Sequence, residues 1–183
     1  GLAGSNYVYA FWDGTKEVLY ANSGAVNSTQ LIASGFGTGS TLRDFTSVGD
    51  RLYFVELRAD ETYQLWSTDG TSAGTTSHNN APLRRVFTMH EEGGQLYIDG
   101  IRNRQNDNRR SLFAFRPDDG LERLARATRP DPIGTANGRL VFSFRNTTVG
   151  VVLRTDQTTA LPGTTDVRLD GAAVSGNTIW YTN

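Results

Sequence analysis

Short runs of aromatic, β-branched and aliphatic residues alternate with Gly, Asn and Asp along the whole chain. No window keeps a 3.6-residue apolar period for three turns, so the pattern predicts strands rather than helices. The clearest stretch is Asp50 to Thr75. Two apolar runs, Leu52-Tyr53-Phe54-Val55 and Gln64-Leu65-Trp66-Ser67, flank a charged tip, and Asp69-Gly70-Thr71-Ser72-Ala73-Gly74-Thr75 follows as a turn cassette. Such runs bounded by Asp-Gly predict an antiparallel hairpin.

The same run recurs after a small turn: Tyr7–Phe11, Leu52–Val55, Leu96–Ile98, Leu140–Phe142 and Ile179–Tyr181. The anchors Tyr7, Leu52, Leu96, Leu140 and Ile179 are spaced 45, 44, 44 and 39 residues apart. A period of about 40–45 residues with about four strands per period is the spacing of propeller blades. With strands labelled A to D outward, B is the anchored run. C falls at Glu17–Ala21, Tyr63–Ser67, Ser111–Phe115 and Val151–Thr155. D is a short edge such as Thr29–Ala33 or Leu121–Arg126. A of the next unit falls at Leu42–Val48, Val86–Glu91, Ile133–Ala136 and Val167–Val174. The expected fold class is therefore all-β, a β-propeller-type repeat of four full four-stranded units plus a partial fifth. Residues 1–183 form one domain, entered in an A–B turn. Three closures stay open: a four-bladed ring, a piece of a longer ring completed by more chain or another subunit, and an open or five-bladed form.

Gln64-Leu65-Trp66-Ser67-Thr68-Asp69-Gly70-Thr71-Ser72-Ala73-Gly74-Thr75 resembles the E-L-W-x-S-D-G-T-x-x-G-T repeat of large secreted bacterial proteins with propeller-like arrays. Gln64 stands where that family usually carries Glu. The other cassettes, Ser23-Gly24, Pro117-Asp118-Asp119-Gly120, Thr155-Asp156 and Pro162-Gly163-Thr164, are degenerate. The resemblance implies an extracellular or cell-surface propeller repeat, with the periplasm as the other compartment, and it brings no catalytic residues.

Composition narrows the function classes. A chain of 183 residues suffices for a self-standing core. A formal charge of −1 argues against a dedicated nucleic-acid binder. The absence of cysteine excludes disulfides and thiolate metal sites. No apolar run approaches the roughly 20 residues of a membrane-spanning helix, so no membrane insertion is expected. Gly1-Leu2-Ala3-Gly4 is no signal peptide, which leaves either a removed signal or a piece of a longer chain.

Candidate chemistry lies in the connections. Arg102, Arg104, Arg109 and Arg110 sit on one long B–C loop, where guanidiniums grip carboxylate or phosphate groups through paired donors. A solvated hairpin tip is the competing reading, which the Asn and Gln content suits. Phe36, in Ser34-Gly35-Phe36-Gly37-Thr38-Gly39, is the aromatic expected on the binding face. Asp44, Asp131 and Asp170 fall near the starts of A strands, around the mouth of an axial channel. There they would bind calcium through oxygen ligands, act as acid and base on a sugar, or simply cap turns. No other cofactor is expected. Asp13-Gly14-Thr15, Asp69-Gly70-Thr71 and Asp119-Gly120 read as turns. His78 and His90 read as ordinary strand-end residues, and Trp12, Trp66 and Trp180 as blade packing.

The expected function is a non-catalytic binding or assembly module acting on a protein, on its own copies or on a surface structure. The rivals are a carbohydrate-active enzyme using those aspartates and a lectin stacking Phe36 and Trp residues on a glycan.

Overall fold

The computed structural model describes residues 1–103 and 109–126, and beyond these the strands spanning 130–136, 139–144, 148–154, 157–160, 171–175 and 178–182. It is all-β, with no helix among the described residues. The first unit is the meander β1 (Leu2–Ala3), β2 (Asn6–Trp12), β3 (Glu17–Asn22) and β4 (Gln30–Ala33). The second is β5 (Thr41–Val48), β6 (Arg51–Leu57), β7 (Tyr63–Thr68) and β8 (Thr76–Ser77). The third is β9 (Leu83–Glu92), β10 (Gln95–Arg102), β11 (Ser111–Arg116) and β12 (Gly120–Arg126). The fourth is β13 (Pro130–Ala136), β14 (Arg139–Phe144), β15 (Thr148–Arg154) and β16 (Gln157–Ala160), and the hairpin β17 (Gly171–Ser175) and β18 (Thr178–Thr182) ends the series. All pairings are antiparallel. One further pair, Tyr63 with Leu83, joins the second and third units into an eight-stranded sheet.

The entry to the chain differs from the expected A–B turn. Leu2–Ala3 pairs with Tyr7 and Asn6, so the first unit has an inner strand of its own. Two residues suffice because neighbouring backbone fixes them. The Gly1 ammonium donates to Val8 O at 2.8 Å, Val8 N–H donates to Gly1 O at 2.8 Å, and Ser47 Oγ donates to Leu2 O at 2.7 Å. Gly4, at φ +56°, reverses the chain between the two strands.

Strand alternation gives each unit two faces, and the first three units stack through them. In the second unit Leu52 and Phe54, with Trp66 opposite Phe54, face one way, while Tyr53 and Val55, with Leu65 opposite Val55, face the other. The first set is buried with Val8, Leu19, Ala21 and Ile32 of the unit before. The second set is buried with Leu96, Ile98, Phe113 and Phe115 of the unit after. The third unit in turn places Tyr97, Leu112 and Ala114 on its far side. The inner strands follow suit: β5 lies against β9, β9 against β13 and β13 against β17.

His78, between β8 and β9, belongs to this packing. Its ring centroid lies 4.8 Å from that of Phe115 and 6.0 Å from that of Tyr53, and Nε2 is 2.9 Å from Ser67 Oγ. Burial, aided by the charge of Arg51, pushes the imidazole pKa down from 6.5 to about 4. The folded protein therefore refuses a proton that the unfolded chain accepts. Stability is full above about pH 6.5 and falls as pH drops toward 4. Partial solvent access reduces the effect to about 1–2 kcal/mol. Urea midpoints between pH 7 and pH 5 should decline for the native chain and flatten for His78→Gln. Equal slopes would show that His78 is not the titrating group.

Candidate functional site

Among the described residues a cleft of 720 Å³ opens at the B–C end of the second and third units. Its walls come from three pieces of chain. The β6–β7 turn and its flanks give Leu57, Asp60, Glu61, Thr62 and Tyr63, the start of β9 gives Arg84 and Arg85, and the end of β10 gives Ile101 with Asn103 just beyond it. The Tyr63–Leu83 pair and the Asn103 N–H bond to Pro82 O at 2.9 Å hold these pieces together. Gly100 is required where β10 bends past β9, because a Cβ there would lie 2.6 Å from Arg85 O.

The cleft is polar and carries both signs of charge. The Asp60 carboxylate is turned onto its own loop, accepting from Thr62 N–H at 3.0 Å and Thr62 Oγ1 at 2.6 Å. These bonds, the hydroxyl's foremost, hold its pKa below the usual carboxylate value. Glu61 has φ +62°, so the turn displays its side chain from a left-handed backbone. Above the ring of Tyr63 stands the Arg43 guanidinium, 5.4 Å from the centroid, and Arg85 lies 5.1 Å from the Phe87 centroid.

The Asp-x-Thr turns share one design. Asp13 and Asp69 accept from the N–H and hydroxyl of Thr15 and Thr71 as Asp60 does from Thr62. In the cassette, Arg51 also donates to Gly74 O at 2.9 Å, and Thr68 Oγ1 sits 2.8 Å from Thr75 Oγ1. Those carboxylates are turn caps.

No protein-family model matches this chain, and no curated protein matches it.

Those residues singled out from sequence that the structure describes are not brought together as one site. Phe36 is 3% exposed, with its ring 5.0 Å from Trp66 and 6.1 Å from Phe54. It is a core residue and not a surface aromatic, because the glycines beside it let the connection dip inward. Arg110 is bound to Asp99 through Nε at 2.7 and 2.9 Å and lies 3.9 Å over the Phe87 centroid. It is a packing residue of the third unit. Arg102 is half-buried at the end of β10 and Arg109 is exposed, while Arg104 lies outside the described residues. Asp44, at φ +56° in a register shift of β5, pairs with Arg43 at 3.2 Å. Asp131 lies opposite Ser143 in β13, with its side chain outside the described residues, and Asp170 lies outside them altogether. Among the described residues no three His, Cys, Asp or Glu side chains cluster as a metal site would require. Trp66 is half-buried in the core, Trp12 is exposed at the end of β2, and the Trp180 side chain lies outside the described residues.

The cleft residues were passed over because none belongs to a motif. The signal was there in two places: the charged tip Arg58–Thr62 and the Arg84-Arg85 pair. Only the register of β7 on β9 shows that they meet.

Proposed function

We propose that this chain is a non-catalytic binding module of a secreted or surface-attached bacterial protein, with its meanders arranged around an axis as propeller blades. The A-strand contacts running from β5 to β9, β13 and β17, and the A-to-D order of each unit, support that arrangement. The observation that carries the binding role is the polar cleft at the connection-bearing end, where loops of two units meet. Arg84 and Arg85 beside Tyr63 suit an extended partner carrying carboxylates, and an acidic protein segment fits best. Asp60 is committed to its own turn, which favours holding a ligand over acid–base work.

A peptide array spanning acidic and neutral sequences tests this reading. Acidic peptides should be retained at low salt and released as ionic strength rises, and Arg85→Glu should weaken retention at least about ten-fold. Charge-blind binding would overturn the reading. So would hydrolysis of arylglycosides or polysaccharides that Asp44→Asn abolishes, which would favour the carbohydrate-active enzyme. Preferential retention of neutral glycans would favour the lectin.

A further inference from the structure

In the first unit the inner strand stops early. β1 holds 2 residues, against 8 in β5 and 10 in β9. Just before it, Gly1 and Val8 exchange both backbone hydrogen bonds at 2.8 Å. From Tyr9 to Trp12, β2 pairs with β3 on one side, and among the described residues no strand pairs with it on the other. Antiparallel alternation sends the N–H and C=O of Ala10 and Trp12 to that open side, as it does those of Val8. Natural sheet edges are blunted by charge or proline, and Tyr9-Ala10-Phe11-Trp12 carries neither.

The second and third units show what such a slot holds. The anchors align Tyr9 with Phe54 and Ile98, and Phe11 with Glu56 and Gly100. At the first position the inner strand supplies Phe45, whose ring stacks on Phe54 at 5.4 Å, and Met89, opposite Ile98. At the second it supplies Leu42, opposite Glu56, and Val86, opposite Gly100. Leu42, Val86 and Met89 are buried and Phe45 is half-buried. Both strands thus carry two apolar residues three apart, with a register shift between them. The first unit lacks this cover. Tyr9 and Phe11 are 42% and 58% exposed, with only Tyr20 of the neighbouring strand stacked beside Tyr9 at 5.9 Å.

We propose that this slot binds an extended segment of a separate polypeptide, which adds a strand antiparallel to β2 and in line with β1. The segment reads apolar-x-x-apolar, as Leu42-Arg43-Asp44-Phe45 and Val86-Phe87-Thr88-Met89 do. Its first apolar residue lies over Phe11 and its second over Tyr9. The main-chain groups of Ala10 and Trp12 supply the hydrogen bonds, and the two aromatic rings select the side chains. No described inner strand of this chain is spare, since β5, β9, β13 and β17 are each paired with the strand that follows. The donor is therefore another chain. This edge lies on the first unit and is separate from the cleft of the second and third.

Amide hydrogen exchange read by NMR tests the slot, with an acetylated and amidated peptide of the sequence Thr41–Phe45 as the probe. In the chain alone the amides of Ala10 and Trp12 should exchange faster than those of Tyr9 and Phe11, which face β3. Saturating peptide should slow Ala10 and Trp12 at least about ten-fold. A peptide with both apolar residues replaced by serine should bind at least about ten-fold more weakly. Ala10→Pro removes a donor from the open edge alone and should abolish the protection at Trp12. Tyr9→Ser/Phe11→Ser leaves the backbone intact and should weaken the peptide, with a urea midpoint near that of the native chain. No protection at any soluble peptide concentration overturns the proposal, as does equal protection by the serine peptide. Slow exchange at Ala10 and Trp12 in the dilute chain alone overturns it in favour of a segment of this same molecule. Protection that appears on concentrating the chain without peptide overturns it in favour of a second copy. None of these results depends on the cleft, so the binding reading is tested separately.

Discussion

Replacing Glu56 by alanine is expected to destabilise the protein by about 3–5 kcal/mol, the largest loss anticipated from any single acidic side chain here. Glu56 is 1% exposed, yet it is fully employed. Its carboxylate accepts from Gly37 N–H at 2.8 Å, Ser40 Oγ at 2.9 Å and Trp66 Nε1 at 3.1 Å, with Arg58 Nε at 3.3 Å. Gly37 and Ser40 belong to the connection between the first two units, Trp66 to β7 and Arg58 to the turn after β6. One side chain therefore ties the loop that seats Phe36 to the sheet on which Phe36 packs. Alanine leaves three donors without an acceptor in a space closed to bulk water, each costing about 1–3 kcal/mol less whatever relaxation recovers. Glu56→Gln keeps an acceptor and should lose about half as much.

Acidity gives an independent check on Glu56. Burial alone would push its pKa up, but the donors of Gly37, Ser40 and Trp66, with the Arg58 charge, together hold it below the ordinary 4.5. Its contribution is thus full above about pH 4.5 and drains away as pH falls through the lower folded value. The window lies below that of His78, so the two can be told apart. Urea unfolding at pH 7 should show the alanine variant's loss, and the gap between native and Glu56→Gln should narrow toward pH 3. A loss under about 1 kcal/mol for alanine would mean that the connection finds other partners.

Periodicity and turn chemistry made the strands legible, and they made the faces legible in part. Leu52, Phe54, Leu96 and Ile98 repeat at one phase, so their shared orientation follows from a period of two. The Asp-Gly-Thr turns follow from local hydrogen bonding, which needs no tertiary knowledge. Leu2–Ala3 was too short for any period to show. Phe36 was misread because an aromatic among glycines looks like loop surface, and only the space between Phe54 and Trp66 explains its burial. Buried charge is where sequence reasoning stopped. Glu56 in Phe54-Val55-Glu56-Leu57 and Asp99 in Tyr97-Ile98-Asp99-Gly100-Ile101 each interrupt an apolar run. A lone acid there implies a partner, but the partner is chosen by register, which composition does not carry.

The Asp99–Arg110 pair should show this dependence as an asymmetry between its two deletions. Arg110→Ala is expected to cost about 4 kcal/mol and Asp99→Ala about 2 kcal/mol. The Asp99 side chain is fully buried in the middle of β10, whereas the Arg110 side chain keeps 21% of its surface in water. Removing the arginine takes the forked contact from a carboxylate that cannot reach solvent and also uncovers Phe87. Removing the aspartate leaves a guanidinium at the entry to β11, free to turn outward. Arg110→Lys should recover only a fraction of the loss, because a point charge cannot reproduce the forked contact that Nε and a terminal nitrogen make with both carboxylate oxygens. Asp99→Leu combined with Arg110→Met should be milder than Arg110→Ala alone, since no charge is then left buried. Urea unfolding of these variants measures the order directly. If Asp99→Ala proves the costlier deletion, then it is the guanidinium that cannot escape, and the carboxylate has water or another donor to turn to.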